Sequence, residues 1–160
     1  MTSNKYCIDT SALIHAWERA YPIRNFRFVW KRIDGLIEAG RFLSFIEVLN
    51  ELKVRSDKLY EWAKKREDIF PDIEGDELQI RMQEILSNYP RLLDTRKNRS
   101  GADPFVVAVA SLHNPPLVVV TQEGPTNRIE KPNIPDVCAA EGLECIKILD
   151  MIVEEDWRLE

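Results

Sequence analysis

The chain has 160 residues, with 22 lysines and arginines against 27 aspartates and glutamates, a net charge of −5 at pH 7, and 44% hydrophobic residues. That composition predicts one soluble domain spanning 1–160, in a size range where a single core buries about 68–70% of the unfolded surface without a disulfide or structural zinc. The negative charge argues against a protein that grips nucleic acid over most of its surface, while leaving room for a local basic patch or for cations that reverse the sign of an acidic pocket. Three cysteines, Cys7, Cys138 and Cys145, form no CxxC pair, and an odd count without such a pair predicts a reducing, cytoplasmic setting. Asp9 interrupts the start before any apolar run of signal-peptide length, and no stretch approaches the roughly 20 apolar residues of a membrane span. Neither secretion nor membrane insertion is expected.

Residues 5–8 read as a buried strand, because the run passes at Asp9 into Asp-Thr-Ser, a capping sequence, and then into helical spacing through Leu13, Ile14 and Trp17. Pro22 ends that helix. Phe26, Val29, Trp30, Ile33, Leu36 and Ile37 recur at three and four residues and predict a helix over 25–39, with Gly40 at its C′ position. Residues 42–44 are either a short strand or the lead into a helix over 46–53, whose apolar side is Val48, Leu49 and Leu52. From 56 to 89 the pattern gives two charged amphipathic helices separated by Pro71 and Gly75.

Residues 92–101 are polar and basic. The helix that follows, over 102–112, is apolar nearly all round and therefore central, with Asp103 placed as N-cap and Pro104 as its first residue. Leu117-Val-Val-Val-Thr121 is a β-branched run typical of a strand buried on both faces, which implies parallel pairing. A short helix near 135–140 and a strand near 144–148 complete the alternation. The fold class is α/β, a three-layer α/β/α sandwich around a parallel sheet.

In such a sheet the functional crevice lies beyond the C-terminal ends of the strands. Asp9 follows the first strand, Glu123 lies two residues past Thr121, and Asp103 opens the buried helix; a further acid, Glu51 or Glu47, comes from the helix after 42–44. Carboxylates gathered in one pocket repel each other, and a hard divalent cation, Mg²⁺ or Mn²⁺, relieves that repulsion. Bound ions acidify water and neutralise phosphoryl oxygens, so metal-assisted phosphodiester chemistry is the expectation. Each acid alone also has a plainer reading. Asp9 and Asp103 can be helix caps, each contributing on the order of 1 kcal/mol; Glu47 and Glu51 can be solvated helix acids; Glu123 can be a loop acid before Gly124 and Pro125. Their combination carries the expectation.

That combination resembles a known family. Cys-Ile-Asp9-Thr-Ser-Ala-Leu-Ile is similar to the opening strand and first acid of PIN-domain nucleases, and Val48-Leu-Asn-Glu51-Leu to their helix-borne second acid. Gly101-Ala-Asp103-Pro-Phe-Val-Val-Ala-Val-Ala resembles their third, and Val-Val-Val-Thr121-Gln-Glu123 the strand end carrying the fourth. Ile134-Pro-Asp-Val-Cys138 and Cys145 make the chain look like a divergent prokaryotic, VapC-type branch. The resemblance implies a PIN-like fold and a metal-dependent endoribonuclease cutting single-stranded RNA. Asp9, Glu51, Asp103 and Glu123 would bind Mg²⁺ or Mn²⁺, and water attack would leave 5′-phosphate and 3′-hydroxyl ends. It further implies a toxin role, a protein antitoxin laid over the groove, and a homodimer.

By the same resemblance, a hydroxyl of Thr10 or Ser11 hydrogen-bonds a metal ligand or a phosphate; otherwise these residues cap the helix. The family's fourth acid is commonly an aspartate in Thr-x-Asp, whereas Glu123 is one methylene longer, which leaves it either a direct ligand or a support. The apolar frame of Val48, Leu49 and Leu52 favours Glu51 over Glu47. The second reading is a catalytically inactive PIN-like module that binds RNA or protein.

Arg96, Lys97 and Arg99, with Arg91, form a basic stretch that either draws a phosphate backbone toward the acids or is a solvated loop. Trp17, Trp30, Trp62 and Phe26 fall on helical apolar spacing and read as core or partner surface rather than base-stacking platforms, with exposed aromatics between Phe26 and Trp62 as candidate docking positions. His15 and His113 lack ligand spacing. Neither GxxxxGK[ST] nor GxGxxG occurs. Asp9-Thr-Ser lacks the second aspartate of aspartyl-phosphate hydrolases.

Overall fold

Tyr6–Ile8 form β1, and all three residues are buried, as are all three of Val118–Val120 in β3. Strands without an exposed face need cover on both sides, and that is the setting of a parallel sheet. The computed structural model describes residues 4–93, 102–128 and 130–159. Its sheet has the order β2-β1-β3-β4, with β2 at Phe42–Leu43 and β4 at Cys145–Ile146. All pairings are parallel: Tyr6 and Cys7 face Phe42 and Leu43, Tyr6 to Ile8 face Val118 to Val120, and Val119 and Val120 face Cys145 and Ile146. Among the described residues eight helices flank this sheet, giving a three-layer α/β/α, PIN-like architecture.

The helices are α1 (Thr10–His15), α2 (Arg27–Glu38), α3 (Ile46–Arg55), α4 (Asp57–Lys64), α5 (Asp76–Asn88), α6 (Ala102–Leu112), α7 (Ile134–Glu141) and α8 (Ile148–Glu154). The first helix is not α-helical through Trp17. It widens at Ala16–Ala20 into a π turn closed by Tyr21 N–H to Ala16 O at 2.8 Å. Trp17 there meets Trp30 edge-on at 5.0 Å and Trp62 at 6.4 Å, while Trp30 and Trp62 are 5.1 Å apart. The tryptophans are therefore core. Arg66 extends that cluster, lying 4.3 Å over Trp62 while gripping Asp34 of α2 through two bonds of 2.6 and 2.9 Å. Between Phe26 and Trp62, Trp30, Phe42, Phe45 and Trp62 are buried, while Phe26, Phe28 and Tyr60 are half-buried and pack against the core with part of each ring accessible.

Two further differences have simple causes. The final strand is only Cys145–Ile146, and Ile148, Met151 and Ile152, spaced by three and four, bury one side of the helix α8 that sequence periodicity alone did not single out. α6 begins at Ala102, one residue before the expected cap, which puts Asp103 in its first turn. Pro104 permits this because the first turn has no intrahelical N–H bond to lose.

Candidate functional site

β1 has β2 on one side and β3 on the other, so the crevice of this sheet lies at the C-terminal ends of β1 and β3. Asp9 stands there, its N–H bonded to Val120 O at 2.9 Å and its residue only 2% exposed. It holds the N-cap position of α1 in extended conformation, yet its side chain makes no capping bond. Instead Oδ2 accepts the Ser11 hydroxyl at 2.6 Å and the Thr121 hydroxyl at 2.8 Å. The two hydroxyl oxygens are 3.0 Å apart. Each carries a single proton, so donation of both to Asp9 leaves none for that third edge. The backbone enforces this arrangement: Gln122 N–H donates to Ser11 Oγ at 3.0 Å and Glu123 N–H to Thr121 Oγ1 at 3.2 Å, which turns the protons toward Asp9. Burial pushes the Asp9 carboxyl up, and the two hydroxyl bonds oppose that shift by favouring the ionised form.

The elements that bear Asp103 and Glu51, α6 and α3, are packed against β1 and against each other. Cys7 of β1 donates its thiol to Val106 O of α6 at 3.7 Å, and Phe105 stacks on Phe45 with ring centres 4.7 Å apart. Ser44, just before α3, donates its hydroxyl to Ile8 O at 2.7 Å, so the start of α3 is pinned to the end of β1. Asp103 is 5% exposed, and Asp103 Oδ2 and Glu51 Oε2 are both buried oxygens. Glu47, one turn earlier, is half-buried in the first turn of α3.

Carboxylate oxygens of this kind fit a hard divalent cation. Polar capacity at the same edge is unspent: Thr10 Oγ1 and Gln122 Oε1 are buried without a hydrogen-bond partner among the described residues. Also among the described residues, no three His, Cys, Asp or Glu side chains stand together as a ready-made nest for an ion.

The family described as "Domain of unknown function (DUF4411)" matches residues 6–159, from the first residue of β1 to beyond α8. The chain belongs to the DUF4411 family. The matched span of this DUF4411 chain contains Asp9, Glu51, Asp103 and Glu123. Among curated proteins, none matches the chain.

Glu123 is tied elsewhere: its Oε2 accepts Ile134 N–H, the first residue of α7, at 3.0 Å. The loop between them is organised by Asp136, a residue that sequence reasoning passed over. Its carboxylate accepts the N–H groups of Thr126, Asn127 and Asn133 and the Thr126 hydroxyl, at 2.8–3.1 Å. The signal was present as Asn133-x-x-Asp136, the spacing of a capping box. Cys138 of α7 hydrogen-bonds Cys145 of β4, which lowers the Cys145 thiol and raises that of Cys138. His113 bonds Val109 O at 2.9 Å through Nδ1, while His15 lines a cleft beside Ser11. Arg96, Lys97 and Arg99 lie outside the described residues.

Proposed function

We propose that this DUF4411 chain is a Mg²⁺- or Mn²⁺-dependent endoribonuclease that hydrolyses phosphodiester bonds of single-stranded RNA, acting as the toxin of a toxin–antitoxin pair. The observation that carries the reading is the Asp9–Ser11–Thr121 triangle at the crevice between β1 and β3. A carboxylate whose charge is disfavoured by burial and offset only in part by two oriented hydroxyls is costly to ionise without a cation and useful with one. Asp9, Asp103 and Glu51 would hold the ion. Bound there, it supplies charge neutralisation at a phosphoryl oxygen and a more acidic water. Ser11 and Thr121 orient Asp9, and Glu123, engaged by Ile134 N–H, positions the turn after β3 rather than adding a ligand.

The test is cleavage of a mixed single-stranded RNA pool in Mn²⁺, Mg²⁺ or EDTA by wild type, Asp9→Asn and Asp103→Asn proteins. Cutting is expected to require metal, to leave 5′-phosphate ends and to vanish in both variants; near-wild-type cutting by Asp103→Asn defeats the reading. Growth arrest on expression of wild type but not Asp9→Asn tests the toxin role. Rescue by a co-expressed antitoxin tests the partner, and sedimentation tests the homodimer. The lack of a ready-made nest among the described residues favours one alternative, an inactive module that binds RNA. Its signature is equal RNA binding in EDTA and Mg²⁺ with no cutting.

A further inference from the structure

A cleft of about 450 Å³ opens beside the Asp9 centre, lined by Ser11, Ile14, His15, Glu18, Arg19 and Arg55. Ser11 is the wall shared with the carboxylate, since the same side chain donates to Asp9. The two arginines arrive from different elements: Arg19 from the π turn after α1 and Arg55 from the last residue of α3. Elsewhere Arg41, Arg66 and Arg81 are each engaged by a carboxylate. Among the described residues neither Arg19 nor Arg55 has an ion-pair or hydrogen-bond partner. Two arginines against the single acid Glu18 make the lining cationic, in a chain whose net charge is −5.

Like charges brought to one cleft with a single acid to balance two of them are stabilised by an anion between them. A guanidinium presents paired N–H donors in a plane, the geometry that grips a phosphate through two oxygens. We infer that this cleft is a phosphate subsite in which Arg19 and Arg55 hold a phosphodiester of a single-stranded nucleic acid next to the Asp9 centre. The inference rests on the nuclease reading for its choice of a strand as ligand. It explains how an acidic chain keeps a polyanion beside carboxylates that repel it: the affinity is supplied from the far side of Ser11.

The experiment uses full-length Asp9→Asn protein in EDTA, so that binding is read without cleavage, with a short fluorescein-labelled oligouridylate followed by anisotropy over a salt series. Adding Arg19→Ala and Arg55→Ala should lower affinity at least tenfold. It should also reduce the slope of log K against log salt by about 1.4, two contacts at about 0.7 each for a single strand. The Arg19→Lys, Arg55→Lys pair keeps the charge and should keep the slope while losing part of the affinity, and it serves if the alanine pair does not fold. Unchanged affinity and slope in a folded alanine variant overturn the subsite, as does absence of binding at low salt. Competition by 5′-AMP or inorganic phosphate at the oligonucleotide's own concentration overturns the choice of a strand. The two readings fail separately: arginine-dependent binding without any cutting by wild type removes the nuclease alone, and cutting with arginine-independent binding removes the subsite alone.

Discussion

Thr121 Oγ1 lies 2.8 Å from Asp9 Oδ2, joining residues 112 apart in the chain where β3 and β1 end side by side. The hydroxyl is aimed by Glu123 N–H, so one small side chain couples the backbone after β3 to the acid after β1. Thr121→Val keeps the shape and removes both bonds. Divalent-cation affinity should fall about 10- to 100-fold, as for other groups that orient a ligand, with a stability loss of about 1 kcal/mol. Thr121→Ser should restore both. Calorimetric titration with Mn²⁺ reads the first effect, and an affinity equal to wild type in Thr121→Val would contradict the positioning role.

Asp136 supplies a pH dependence of known sign. Burial raises its carboxyl, but the N–H groups of Thr126, Asn133 and Asn127 and the Thr126 hydroxyl outweigh that and hold it below the usual carboxylate range. A depressed folded-state value means that its stabilisation is complete above the unfolded value of about 3.9. It is lost as pH falls through the lower folded value. Asp136→Asn should therefore cost about 1–3 kcal/mol at neutral pH and flatten the acid limb of the melting profile. Melting temperatures from pH 2 to 7 for both proteins decide this.

The C-terminal helix is fastened by a charged clasp at the other end of the sheet. Glu155 Oε2 accepts the Tyr6 hydroxyl and Arg41 Nη2, each at 2.6 Å, while Arg41 Nε donates to Asn4 O at 2.8 Å. The Glu155 side chain is only 6% exposed, so Arg41→Ala leaves a nearly buried carboxylate without its cation and should cost about 3 kcal/mol. Tyr6→Phe, which removes one bond to the same oxygen, should cost about 1–2 kcal/mol. Urea denaturation of the two single variants and the double variant should show that the losses do not add.

Thiol reactivity should be unequal. Cys7 is buried and its thiol is pushed up to about 12, and Cys138 is buried and raised by its bond to Cys145 and by burial. Cys145 is partly exposed and lowered by that same bond. Iodoacetamide at pH 8 should therefore modify Cys145 first, and Cys138→Ala should slow that reaction by removing the donor. Peptide mapping of partly labelled protein gives the order, and earlier labelling of Cys7 would contradict it.

Much of the architecture was legible in the sequence because burial on both faces leaves a local trace. Val118 to Val120 read as a parallel strand since β-branched residues without polar alternation suit a sheet covered on both sides, and the apolar helix at 102–112 read as central for the same reason. Other features left weaker traces. The π turn at Ala16–Ala20 keeps the apolar composition of an α-helix while changing where Trp17 points, and α8 is short enough that its three-four spacing did not stand out from a strand ending.

The candidate site divides along the same line. Asp9, Asp103 and Glu123 were visible as acids near strand ends and helix starts, and Glu51 as an acid borne by the helix after 42–44, because such placement is local and follows from the alternation of strand and helix. Whether Asp9 caps its helix or faces Ser11 and Thr121, and whether Glu123 turns inward or holds Ile134, depended on partners 112 and 11 residues away. The pairing of Arg19 with Arg55 across one cleft is of the same kind. The sequence by itself determined which elements form and which chemical groups stand at their ends. Only the tertiary structure decided which of those groups meet, because hydrogen bonding and burial act over a few ångströms of space and are indifferent to separation along the chain.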